Sequence, residues 1–252
     1  EWLLEEMEAK HFENPKDYPV VGSALVETWV PPRSRGALDY YVIAFGDPED
    51  HEVLGIRFEG HHLSLNLTLG VENNEKTLGV TPFFFGASPV IVPESPKDHR
   101  GRWMQEEGQQ LLLREAWLAR RLLQSLPSKV IGQGQWKQFP DAVLDGGTDA
   151  LLDAGEYLKG QSQGIEIENL KGPELALLED FVAEYVATQP EANLLFNEIV
   201  QSLIKGKIWW YGDMNDLEGE FYIRVQSNDY LIELLQTNTF GVQSEVLGNH
   251  IH

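Results

Sequence analysis

The chain has no cysteine. Disulfides, thiolate nucleophiles, iron–sulfur clusters and cysteine-ligated zinc are therefore excluded, and His, Asp, Glu and carbonyl oxygen remain as metal ligands. Basic residues are scarce: 19 Lys and Arg stand against 40 Asp and Glu, a formal net charge of −21. So acidic a chain repels phosphate backbones and anionic lipid, so nucleic acid is not an expected partner. No apolar run approaches the roughly 20 residues that span a bilayer, and no basic-then-apolar signal opens the chain. A soluble protein without a transmembrane segment is expected. The sequence starts at Glu1 rather than Met, so the lack of a targeting signal in it, removed or missing, decides nothing and the location stays open. A phosphate-cradling loop is also lacking, because GQGQ at 132–135 has neither the lysine nor the strand–helix setting, and there is no Gly-x-Ser-x-Gly elbow.

What is present is a change of texture along 252 residues, enough to bury a sizeable core without staples. Residues 1–12, EWLLEEMEAKHF, put Trp2, Leu3 and Met7 at helical spacing, and 1–38 reads as an N-terminal helix and connecting segment. From Asp39 the runs DYYVIAFG, EVLGIRFEGHHLSLNLTLG and KTLGVTPFFFG are rich in β-branched and aromatic residues, with turn signals GDPED and GVENNEK between them. They predict a three-stranded antiparallel meander over 40–85, with ENNEK as its clearest hairpin turn.

Three prolines mark 88–102 as a long loop. A helix is predicted over 103–126, where Leu111, Leu112, Glu115, Leu118, Arg121, Leu122 and Leu126 give an apolar stripe with charged flanks. A loop with short helical turns follows over 131–155. Two further helices occupy 173–205, with Pro173 suited to a first turn and Pro190 separating them. The period then changes to two in GKIWWYGD, EFYIRVQS, DYLIELLQTN and GNHIH, which predict strands over 207–252. The order strands, helices, strands implies a single α+β domain over 39–252. Its antiparallel sheet or barrel-like layer draws on both strand groups, with helices packed on one face or end.

Alternate strand residues share a face. Read as one continuous strand, 57–68 puts Arg57, Glu59, His61, Leu63 and Leu65 on one side and His62, Ser64, Asn66 and Thr68 on the other. His62, Ser64 and Asn66 then form a polar row suited to a wet cleft or a hydrogen-bonded core. His61, beside Leu63, reads by its own surroundings as a core histidine and is kept as a fourth metal candidate. His250 and His252 are two apart, the spacing that lets two imidazoles on one strand grip one ion. Three imidazoles with a carboxylate suit a transition metal such as zinc, copper or iron. Glu233, between Ile232 and Leu234, needs a partner wherever its strand is buried. It is a candidate ligand or general base, or else the partner of Arg224 on a neighbouring strand. Trp209 and Trp210 split between two faces, as do Phe83 and Phe85 against Phe84; core packing is the expectation for all five.

The stretches RFEGHHLSLNLTL, TPFFFGASPV, LARRLLQSL, GIEIENLKGPELALLEDFVAEYVA, FYIRVQSNDYLIELLQTN and NHIH together resemble the domain of unknown function 3500 family, found mainly in bacteria and some eukaryotes. The resemblance covers roughly 39–252. Its most specific part is Gly-His-His-Leu-Ser-Leu-Asn followed by Thr-Pro and Phe-Phe-Gly-Ala. It implies no established activity. It does imply that His61, His62, Ser64, Asn66, Glu233, His250 and His252 belong together as polar positions in otherwise apolar strands. The chain departs from the family pattern in its shorter N-terminal helical region. It also lacks the Trp-Arg-Asp segment that usually follows His-x-His, which bears on the completeness of the site.

Two functions from different classes follow. In the first, a metal-dependent hydrolase or oxidoreductase holds one ion with His62, His250, His252 and Glu233, while Asn66, Ser64 or Arg57 orients a small-molecule substrate. In the second, a non-catalytic binding or assembly subunit uses the polar row to secure its sheet and its acidic surface to dock a basic protein partner.

Overall fold

Alternating apolar and polar residues in both halves of the chain build strands that meet in one antiparallel sheet, with helices on one face. The computed structural model describes residues 41–46, 53–60, 63–72, 75–79, 83–87, 112–138, 163–187, 192–217, 219–238 and 247–251. The first strand group is β1 (Tyr41–Phe45), β2 (Val53–Gly60), β3 (Leu63–Glu72), β4 (Glu75–Gly79) and β5 (Phe83–Ala87). Helices α1 (Leu113–Ser125) and α2 (Ser128–Ile131) follow, then the short β6 (Ile165–Glu166), a 3-10 turn at Ile167–Asn169, and helices α3 (Gly172–Val186) and α4 (Ala192–Leu203). The second strand group is completed by β7 (Lys207–Gly212), β8 (Phe221–Gln226), β9 (Leu231–Asn238) and β10 (Leu247–Ile251). The expected α+β class is observed.

The strands lie in the order β1-β2-β3-β5-β10-β9-β8-β7-β6, with β4 pairing β3. The two groups are sewn together where β5 meets β10, through Phe85 with Ile251, Gly86 with His250 and Ala87 with Asn249. The expected three-stranded meander is in fact five strands. The long run 52–70 divides into β2 and β3, which pair antiparallel from Gly60 with Leu63 to Val53 with Gly70. The next run divides as well: β4 takes one stretch of β3's edge and β5 the other. Between β4 and β5 lies Val80-Thr81-Pro82, and Pro82 has no N–H to give a ladder. The ENNEK hairpin is as expected, with Glu72 paired to Glu75. Strand β6, in GIEIENL, has too few residues to show a period of two.

The core lies between the helices and one face of the sheet. Leu122 and Leu123 of α1, Phe181 and Val182 of α3, and Ile223, Val225 and Leu234 of the sheet are completely buried in it, joined by Leu65, Phe83 and Trp210. Each such side chain contributes about 1.5–3 kcal/mol. Pro173 sits in the first turn of α3 as expected. Helix α1 is seen from Leu113; the preceding part of the predicted helix, 103–111, lies outside the described residues. Arg121 is exposed, as a charged flank of the stripe should be, and the neighbouring Arg120 is buried. Arg120 lies 4.1 Å over the Phe221 ring and donates to the carbonyls of Asp216 and Ala116. Burial lowers its pKa to about 10, against the pull of Asp216 and Asp213.

Candidate functional site

In FYIRVQ, the sequence of β8, Phe221, Ile223 and Val225 turn to the helices, which leaves Tyr222, Arg224 and Gln226 on the opposite face. Arg224 stands opposite Glu233 of β9 in the sheet register, and Trp209 of β7 is its neighbour on the other side. Arg224 and Glu233 are both fully buried. Arg224 Nη1 donates to Glu233 Oε1 at 3.1 Å, and its Nε donates to Gln226 Oε1 at 2.9 Å. The phenol of Tyr222, also fully buried, donates to the same Glu233 oxygen. Two donors on one carboxylate oxygen, one of them cationic, hold the carboxylate in a single orientation. Such a pair is costly to desolvate, and the hydrogen bonds from Arg224 and Tyr222 to one carboxylate oxygen offset that cost.

An aromatic wall stands beside this pair. Trp136 stacks on Tyr222 with ring centroids 5.1 Å apart, and Trp209, Tyr211 and Leu235 complete the cluster. The wall is carried in by backbone contact. Gly134 O accepts from Trp210 N at 2.9 Å, and Trp136 N donates to Trp210 O at 2.8 Å, so 134–136 runs beside β7 as an added edge. Gly134 makes the approach possible, since a Cβ there would lie 2.5 Å from the Ile208 carbonyl oxygen. Gly164, at φ +82°, lets a second segment close on the Trp209 ring, which a Cβ would meet at 2.8 Å. The GQGQ stretch is thus a docking edge that positions Trp136.

Strand register decides which predicted site residues share a face. Arg57 pairs with Asn66, Ser64 with Phe84, Gly86 with position 250, and position 250 with Leu235. Followed across the sheet, these rows put Arg57, Ser64 and Asn66 on the face that carries Glu233 and Arg224, away from the helices. The expectation that Arg57 and Asn66 lie on opposite sides is therefore overturned. It assumed one unbroken strand, and antiparallel pairing of two strands restores them to one face. Position 250, paired with Leu235, falls in the same set of rows. Ser64 is buried; Arg57 and Asn66 are partly so.

His61, His62 and His252 lie outside the described residues. Among the described residues no three His, Asp or Glu side chains cluster as a metal would require, and no helix is long and apolar enough to cross a membrane. The alternative expectation for Glu233, pairing with Arg224, is observed. Reading from sequence passed over Tyr222, Gln226 and Trp136. The first two were visible as the polar half of the alternation in FYIRVQ. Trp136 was not, because its place depends on a contact between segments more than 70 residues apart.

The family model described as protein of unknown function (DUF3500) matches residues 4–252, nearly the whole chain and beyond the 39–252 of the resemblance. No curated protein and no solved structure matches.

Proposed function

We propose that this chain, which belongs to the DUF3500 family of proteins of unknown function, uses the face of its sheet turned away from the described helices as a metal-dependent catalytic site for a small molecule. The observation that carries the reading is the register. Five positions singled out by residue type, Arg57, Ser64, Asn66, Glu233 and His250, fall on one face although they come from four strands. His250 with His62 and His252 supplies imidazole ligands for zinc, copper or iron, with His61 as a fourth candidate. Glu233, oriented by Arg224 and Tyr222, serves as ligand or general base, and Asn66, Ser64 and Arg57 orient the substrate. A metal with an open position acidifies water for hydrolysis or activates oxygen; the donor set suits either.

The burial of the Arg224–Glu233 pair favours a second reading, in which this face is a structural polar layer of a binding or assembly subunit. Elemental analysis of the full chain, prepared without a histidine tag, separates the two. The catalytic reading expects near-stoichiometric metal that is lost in His62→Ala, His250→Ala and His252→Ala variants of unchanged circular dichroism. A chain that takes up no zinc, copper or iron on reconstitution, or that keeps its metal in the His250→Ala/His252→Ala double variant, supports the structural layer instead.

A further inference from the structure

Strand β5, FFFGA, divides its residues between the two faces of the sheet. Phe83 enters the core with the helices, so alternation puts Phe85 and Ala87 with it and leaves Phe84 and Gly86 on the face that carries Glu233 and Arg224. A glycine inside a strand weakens it, and its usual reasons are a bulge or the close approach of another group. No bulge is present here, because β5 pairs β10 without a slip from Phe85 with Ile251, through Gly86 with His250, to Ala87 with Asn249. Close approach remains. Gly55 shows what that means in this sheet: its register partner on β1 is Phe45, and a Cβ on Gly55 would meet the Phe45 side chain at 3.3 Å. By register Gly86 stands in the same relation to His250. Leu235 is the partner of position 250 on its other side, Glu233 is two residues along β9 from Leu235, and Ser64 pairs with Phe84, two residues along β5 from Gly86. Polar positions thus lie around one position that has no side chain.

We infer that Gly86 is a positioning residue of the proposed metal site, the gap in the sheet face that leaves room for the His250 imidazole and the ion it holds. This role rests on the catalytic reading above and names the residue that keeps its site open. A methyl group at position 86 takes space beside position 250, and an isopropyl group takes more, so metal affinity falls as the side chain grows. Stability moves the other way. Glycine is a poor strand former and valine a good one, so in the metal-free chain the same substitutions are neutral or stabilising.

The test is calorimetric titration of the full chain with zinc, copper and iron, alongside urea unfolding of the metal-free protein. For whichever ion the chain takes up, Gly86→Ala should weaken binding about 10–100-fold, the range typical of a change beside a metal ligand, and Gly86→Val should weaken it further. Urea midpoints of the metal-free variants should equal or exceed that of the wild type. Ala87→Ser, which enlarges the next residue on the opposite face, should leave the affinity unchanged. Gly86→Ala alone carries the comparison should Gly86→Val lose its fold. Wild-type affinity in the Gly86 variants overturns the inference and leaves the metal reading standing, as does an equal loss in Ala87→Ser, which would belong to the strand rather than to the site. A wild-type chain that takes up none of the three ions overturns the metal reading and this inference with it.

Discussion

Arg224 and Glu233 face each other across β8 and β9, Nη1 to Oε1 at 3.1 Å, with both side chains completely buried. Neither can be changed alone without leaving its partner's charge in the interior. Glu233→Gln, which keeps the shape, should destabilise the chain by about 3–5 kcal/mol, whereas the double replacement Arg224→Met/Glu233→Leu should restore most of the loss. Tyr222→Phe removes one donor to the carboxylate and should cost about 1.5–3 kcal/mol. Urea unfolding of the four proteins checks all three. A stable double variant also separates roles, because metal uptake lost with stability restored assigns Glu233 to the site as well as to the sheet.

The GQG at 132–134 offers an internal control. Gly132 has φ −67° and open space around it, so Gly132→Ala should be neutral or stabilising by up to about 1 kcal/mol. Gly134→Ala drives a methyl against the Ile208 carbonyl and should cost about 1–3 kcal/mol or more, with loss of the Trp136 stacking on Tyr222. Near-ultraviolet circular dichroism reads the stacking, and urea midpoints read the stability. Equal effects at the two glycines would contradict the docking role of 134–136.

Alkaline pH should unfold the chain through two phenols. Burial, then Glu115 and Glu233, raises the Tyr185 pKa well above 10; burial, then the hydrogen bond to Glu198, raises that of Tyr230. Above about pH 10 the unfolded chain releases protons that the folded chain retains. Their contribution to stability is thus complete below that pH and lost as pH rises through the folded values. Phenolate absorbance should show these two ionising together with unfolding, and Tyr185→Phe should shift the alkaline transition upward. Ionisation of Tyr185 in the folded chain would contradict this.

Much of the architecture follows from local pattern. The 3.6-residue stripes of 113–125 and 172–186 and the period of two in 207–238 are properties of neighbouring residues, and they decide helix or strand wherever the segment is long enough. Local pattern does not mark the burial of Arg120, which turns on Phe221 of β8 lying beneath it.

The site was half visible for a related reason. Residue type picked out Asn66, Arg57, Glu233 and His250, and alternation within FYIRVQ could have added Tyr222. By itself the sequence determined an acidic, cysteine-free α+β chain with a set of polar residues on apolar strands. Only the tertiary structure decided that Arg57 joins Asn66 on one face, that Arg224 and Tyr222 share one oxygen of Glu233, and that Trp136 lies against Tyr222. The physical reason is that alternation is set within a strand, while register is set between strands. A single change of strand, as between Gly60 and Leu63, reverses which residues share a face.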